Sequence, residues 1–435
     1  MKINKIQAGL AAILFLNSCT VQRPDQLVQQ DDVTRIIKIL SADDMEGRGT
    51  FTPGIDKAAS FIEAEFKKIG LKPLNGENDF RQEFNVTRIS PASVSVMIDG
   101  KNIDPENIIA MSEKALLEMG NSSGASILKI GAGEQFAQKY RAALNSKTPV
   151  LVLVDQSHSA IFKRLKDNAE RGRIVEKPGD GAGVVLVLGV TEANSFSVKA
   201  NSKVESLALF NVAGMIPGKS KEKEFVLFSA HYDHLGTVES VDGDSIANGA
   251  DDDASGTTGV ISLAKYYKEL KNNERTLIFV AFTAEEIGGF GAKYFSSKLN
   301  PDDVVAMFNI EMIGKESKFG KNAAFITGYE RSDFGHILQR NLTGTDFKFH
   351  PDPYPSQNLF YRSDNATLAA LGVPAHTIST DQIDSDKFYH TVNDEFETLD
   401  AANIWSTIKA IALSARSIVA GIDTPKRIPK LEPRQ

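Results

Sequence analysis

The sequence predicts an α/β domain with a mostly parallel sheet covered by helices on both faces, and three observations lead to it. Four runs, 224–230, 276–284, 304–310 and 375–380, are apolar and strand-like. A helical stripe of Val260, Leu263, Ala264, Tyr267 and Leu270 separates the first two runs. A second stripe, Ile404, Ile408, Ile411, Ala415 and Ile418, follows Asp400 after the last run. Alternation of strand and helix is the pattern of layered α/β domains.

Upstream, a short helix is expected from about Asp32, with Val33, Ile36, Ile37 and Leu40 on one face. Residues 54–69 predict another, striped by Ile55, Ala58, Ile62, Phe66 and Ile69 and closed by Gly70. Between 81 and 205 the character changes. Val94, Val96 and Ile98 alternate with small residues into Asp99-Gly100, a hairpin signal, and 150–154 and 184–188 read as buried strands. This stretch is expected to be an inserted, smaller β-rich domain, leaving 32–80 and 206–424 as the main domain.

A chain of 435 residues with 42% hydrophobic and 24% charged residues is long enough for two or three domains of ordinary globular composition. Net charge is −7 and no basic cluster is dense enough to follow a phosphate backbone, which argues against nucleic acid as a partner.

The single cysteine, Cys19, excludes an internal disulfide and ends an export-like signal: Lys2 and Lys5, then an apolar run at 10–16. Seven residues are too short for a bilayer, which needs roughly 20. Leu16-Asn17-Ser18-Cys19 resembles the lipobox of bacterial lipoproteins. That resemblance implies a signal at 1–19, acylation of Cys19, a polar tether at 20–31 and a lipid-anchored protein of the bacterial cell envelope.

In open α/β sheets, sites form at the carboxyl ends of the strands. There the sequence places His231-Tyr232-Asp233, then Glu285-Glu286, then Glu311, then Tyr389-His390, with 249–256 (GADDDASG) between the first strand and its helix. Two histidines with several carboxylates suit zinc, and more than four candidate ligands suggest two ions bridged by a carboxylate.

This series, His231-x-Asp233, Gly249-Ala250-x-Asp252-x-Ala254-Ser255-Gly256, Glu285-Glu286, 309–314 (NIEMIG) and Tyr389-His390-Thr391, resembles the co-catalytic zinc peptidases. That family includes bacterial aminopeptidases and glutamate carboxypeptidases. The resemblance covers about 206–420 and 32–75, and more weakly likens 81–205 to a protease-associated insertion. It implies the zinc exopeptidase fold, peptide substrates and two zinc ions. One ion would be held by His231 and Glu311 and the other by Glu286 and His390, with Asp252 bridging. Asp233 would fix the His231 tautomer, Glu285 would be the general base, and Tyr389 would hydrogen-bond the oxyanion. Asp251 and Asp253 would be flanking charges that raise cation affinity. Glu311 departs from the family, where aspartate is commoner. The other histidines are read as structural: His158 lies in the inserted stretch, His336 in a helix, and His234 matches no ligand position, while for His350 and His376 lining of the substrate cleft is the lesser alternative.

An aminopeptidase is the expected activity, with a carboxypeptidase or dipeptidase on the same site as the alternative. A glutaminyl cyclase uses one zinc, against which candidates for both metals argue. A silent binding lipoprotein would not need Glu285 with every ligand position intact.

Overall fold

The structure, a computed structural model, describes residues 26–74 and 76–432; the signal and Cys19 lie outside them. The chain opens with helices α1 (Gln30–Leu40) and α2 (Pro53–Ile69), whose apolar stripes face the main core. Helix α2 ends at Gly70 with φ 80°, the left-handed cap a glycine adopts without strain. Residues 27–31, expected in the tether, are already folded. Leu27 and Val28 are buried in the main core, and Trp405 Nε1 donates to Val28 O at 2.9 Å. Two apolar side chains beside a half-buried indole that packs on the same core are better buried than solvated.

The strands that build the site belong to one 12-stranded sheet. Those used here are β1 (Arg81–Ile98), β2 (Phe196–Ile216), β3 (Lys221–His231), β4 (Arg275–Phe282), β5 (Val304–Ile310), β6 (Ala323–Ile326), β7 (Lys348–Pro351) and β8 (Ala375–Ser379). Their spatial order is β7-β6-β8-β5-β3-β4-β2-β1. The four runs read from the sequence are β3, β4, β5 and β8, which pair in parallel at the centre. The flanks are antiparallel: β2 against β4, β1 against β2, and β6 against β8. Helices α3 (Gly256–Leu270) and α4 (Ala401–Ser414) pack their stripes into the main core. Asp400 caps α4 by accepting the N–H groups of Ala402 and Asn403, two of the donors a helix start leaves orphaned.

Strands β1 and β2 are 18 and 21 residues long and run beyond the main sheet as one antiparallel pair. At its tip, Asp99 (φ 48°) and Gly100 (φ 78°) make the expected hairpin. Beyond the pair, a four-stranded sheet is ordered Ile108–Met111, Val184–Leu188, Val150–Val154, Ser126–Ile130. It is joined by helices Phe136–Leu144 and Ser159–Glu170 and has apolar clusters separate from the main core. At the base of the pair, Phe84, Val86 and Leu209 pack with Ala284 and Phe290, the residues flanking the Glu285-Glu286 turn. Among the described residues no helix is long and apolar enough to cross a membrane.

Candidate active site

Each parallel strand ends in a chemically active side chain. His231 is the last residue of β3, Glu285 and Glu286 follow β4, Glu311 directly follows β5, and Tyr389-His390 come from the loop after β8. Asp252 lies in the turn between β3 and α3. Gly256 in that turn has to be a glycine, since a Cβ would collide with Ile310 O and the Asp253 carboxylate. Ala284, Met312 and His390 hold left-handed φ values of 58°, 50° and 57°, so strained backbone clusters around the site.

The structure brings the expected ligands together. Asp252 is buried, and its two carboxylate oxygens face two different histidines: Oδ1 is 3.1 Å from His231 Nε2, and Oδ2 is 3.2 Å from His390 Nε2. His390 Nε2 also lies 3.1 Å from Glu286 Oε2. Asp252, Glu285, Glu286, Glu311 and Tyr389 line one cleft of about 770 Å³. Tyr389 is 39% exposed and stacks on the His390 ring at 3.9 Å, so its hydroxyl is available to a ligand.

Crowding carboxylates in a buried place has a visible electrostatic cost. Burial pushes Glu285 and Asp364 well above the usual carboxylate range, helped by the charges of Glu311 and Glu286, and against the pull of His231. Burial raises Glu311 too, again against His231. Asp252 goes the other way: burial would raise it, but its contacts with His231 and His390 hold it well below. Burial alone would depress His390, yet Asp252 and Glu286 push it up to about 10. The centre is built to be balanced by positive charge.

Several supporting roles differ from the sequence expectation. The Asp233 carboxylate does not take the His231 N–H: Nδ1 lies 3.1 Å from the Asp233 backbone carbonyl and 3.9 Å from its Oδ1. That carboxylate instead accepts the backbone N–H groups of Glu285 (3.1 Å) and Glu286 (3.3 Å), fixing the turn that carries the expected base. Asp253 accepts from the N–H groups of His231, Gly256 and Met312, and Asp251 from Gly314 N and Ser255 Oγ. Both oxygens of Asp253 and Oδ1 of Asp251 hold loops together, a structural role beyond that of a flanking charge. His376 is fully buried between Thr327 O and Ser332 Oγ, both at 2.8 Å, and His350 stacks on Phe319 at 4.0 Å; neither lines the cleft.

Three residues were missed. His234 is buried, with Nδ1 2.8 Å from Glu286 Oε1 and Nε2 unpartnered. It could itself offer an atom to a cation with Asp252 and Glu286. Its bond to Glu286 favours a different role, orienting that carboxylate while His390 meets the other oxygen. Asp394 accepts the N–H groups of Asp251 and Asp252 at 3.0–3.1 Å. Arg48 is fully buried and donates to the carbonyls of Leu40, Tyr232, Asn248, Gly249 and Asp252. Only His234 left a trace in the sequence, three residues after His231.

These residues fit a metal centre. Two donors bound tetrahedrally at about 2.0–2.2 Å lie roughly 3.3–3.5 Å apart, close to the 3.1–3.2 Å separations around Asp252. Both oxygens of buried Asp364 meet no hydrogen-bond donor, another sign of a charge awaiting a counterion.

Fold and site together define a mixed α/β protein with a buried imidazole–carboxylate centre at the carboxyl edge of its parallel strands. The model of peptidase family M28 matches residues 211–415, which hold all of these ligand candidates, so the chain is similar to that family over this stretch. It is 27% identical over 232 residues to leucine aminopeptidase 1 of Paracoccidioides brasiliensis, a match covering 48% of this chain and 56% of that protein. It is 34% identical over 137 residues to a vacuolar membrane protease of Schizosaccharomyces pombe, covering 32% of this chain and 14% of the other. The chain thus spans little more than half of the first relative and a small part of the second. Among solved structures, an aminopeptidase from Aneurinibacillus sp. strain AM-1 shares the fold with TM-score 0.54 and 19% identity, covering 94% of this chain and 98% of that one. BSAP, a zinc aminopeptidase from Bacillus subtilis, does so with TM-score 0.53 and 16% identity, covering 90% and 95%.

Proposed function

We propose that this protein is a zinc-dependent aminopeptidase with a two-metal centre. The observation that carries the reading is Asp252, whose two oxygens each face one histidine, with Glu286 beside His390 and Glu311 lining the same cleft. His231 and Glu311 would hold one ion, Glu286 and His390 the other, and Asp252 both. Bound there, the ions would supply Lewis-acid polarisation and lower the pKa of water. Glu285 takes a proton from the attacking water and returns it to the leaving amine. Tyr389 donates its O–H to the oxyanion as the carbonyl becomes tetrahedral. His234 and Asp233 hold Glu286 and the Glu285 turn in place.

A cleft rich in carboxylates suits a free α-amine, which is why the N-terminal end of a peptide is the proposed substrate. The zinc-loaded protein should cleave peptides with a free N-terminus and leave N-acetylated ones intact, as followed by mass spectrometry of the products. One observation favours a second reading: Arg362 lines the same cleft and could clamp a C-terminal carboxylate. Cleavage of N-acetylated peptides, blocked by C-terminal amidation, would make the protein a carboxypeptidase.

We further infer that Cys19 is acylated and ties the enzyme to the cell envelope, from Leu16-Asn17-Ser18-Cys19. Cys19→Ala should leave the protein unprocessed or released. A wild-type mature protein found wholly soluble, and free of lipid by mass spectrometry, would remove this part of the proposal.

A further inference from the structure

One wall of the cleft carries a carboxylate for which the reaction has no use. Asp381 follows β8 by two residues, is 7% exposed and lines the cleft with Glu285 and Glu311. It belongs to a buried acidic trio with Asp251 and Asp386, whose oxygens lie within 4.8 Å of one another. One lysine serves this trio, and it is committed elsewhere: Lys315 Nζ is 2.7 Å from Asp386 Oδ2 and 3.4 Å from Asp251 Oδ2. Among the described residues no ion pair reaches Asp381, and its Oδ1 is buried without a hydrogen-bond donor. The cleft also has an apolar share of its lining, in Met312, Phe325, Leu359 and Ile383, beside the small polar side chains of Thr327, Thr377 and Ser379.

A buried carboxylate with no cation of its own is unfavourable unless something that enters the cleft supplies the charge. The complement of this wall is a side chain with a hydrocarbon stem and a cationic head. Such a stem would lie against apolar lining such as Phe325 and Ile383 while its head paired with Asp381. We propose that Asp381 is the specificity determinant of the cleft and selects peptides whose N-terminal residue is lysine or a similarly long cationic side chain. The proposal rests on the aminopeptidase reading and names its substrate class. Burial, with Asp251 and Asp386 close by, raises the empty Asp381 to about 8, in keeping with a carboxyl group short of a counterion. Arg362, the basic residue of the cleft, is exposed, so water screens its charge.

The test compares peptides that begin with lysine and with norleucine, which share the four-carbon stem and differ in the charge. With the zinc-loaded protein, kcat/KM for the lysine peptide should exceed that for the norleucine peptide by about 10- to 100-fold, the worth of one hydrogen bond to a charged group. In Asp381→Asn that ratio should collapse toward one. Calorimetry with lysine amide and norleucine amide gives a second reading that needs no turnover, and the same preference and the same loss are expected there. A wild-type protein that favours norleucine, or an Asp381→Asn variant that loses both substrates in equal proportion, overturns the proposal. If neither peptide is cleaved, the aminopeptidase reading fails, and the calorimetric preference still decides the role of Asp381.

Discussion

Glu285→Gln should retain its zinc and lose about 10²–10⁴-fold in kcat, the usual contribution of a positioned general base. The substitution keeps the shape of the side chain and removes its ability to accept a proton. Glu285 stands apart from the ligand contacts, which join Asp252 to His231 and His390, and Glu286 to His390. Its backbone N–H is held by Asp233, so the glutamine should sit where the glutamate did. His390→Ala and Asp252→Ala are the contrasting variants, because each removes an atom from the ligand cluster and should lose metal. Elemental analysis alongside single-turnover kinetics separates the two effects. A Glu285→Gln protein stripped of zinc, or one with unchanged turnover, would exchange or abolish the roles given to Glu285 and Glu286.

The second large effect is expected from Arg48→Ala, a residue that touches no substrate. Its guanidinium is fully buried and satisfies five backbone carbonyls from three segments. Burial lowers its pKa, while Asp252, Asp394, Asp253 and Asp233 favour its charge. Removing it strands those carbonyls and deprives the acidic centre of its fixed internal cation. Breaking a buried charged network of this kind costs about 3–5 kcal/mol. Arg48→Lys keeps the charge but cannot fork to several carbonyls, so it should fall between alanine and wild type. Urea unfolding monitored by tryptophan fluorescence of Trp405 would check this; a loss below about 1 kcal/mol for Arg48→Ala would mean that water replaces the guanidinium.

Much of this candidate site was legible because imidazoles and carboxylates are uncommon beside the ends of apolar strands. His231, Glu286 and Glu311 each stand within two residues of where an apolar run stops, and His390 lies in the loop after the last run. What stayed hidden depends on partners distant in the chain. Arg48 works through carbonyls about 200 positions away, and Asp394 through N–H groups about 140 positions back, and neither leaves a periodic or local pattern. Asp233 was placed in the right neighbourhood with the wrong partner, since an aspartate two residues after a histidine can turn toward either the ring or the next turn. The antiparallel flank escaped notice for another reason: β1 starts at 81 and β2 runs through 205, where composition changes but the strand does not stop.

The bonds from Arg48 and Asp394 to the turn at 249–252 also set an order of events. Residues near the start and near the end of the chain must both reach that turn before Asp252 is held in place. A chain emerging from the ribosome lacks Asp394 until most of its length has been made, and such long-range closure is slow compared with local helix formation. Hydrolytic competence therefore arrives last, after the scaffold around it has condensed, and a nascent or truncated polypeptide is a peptidase in composition alone.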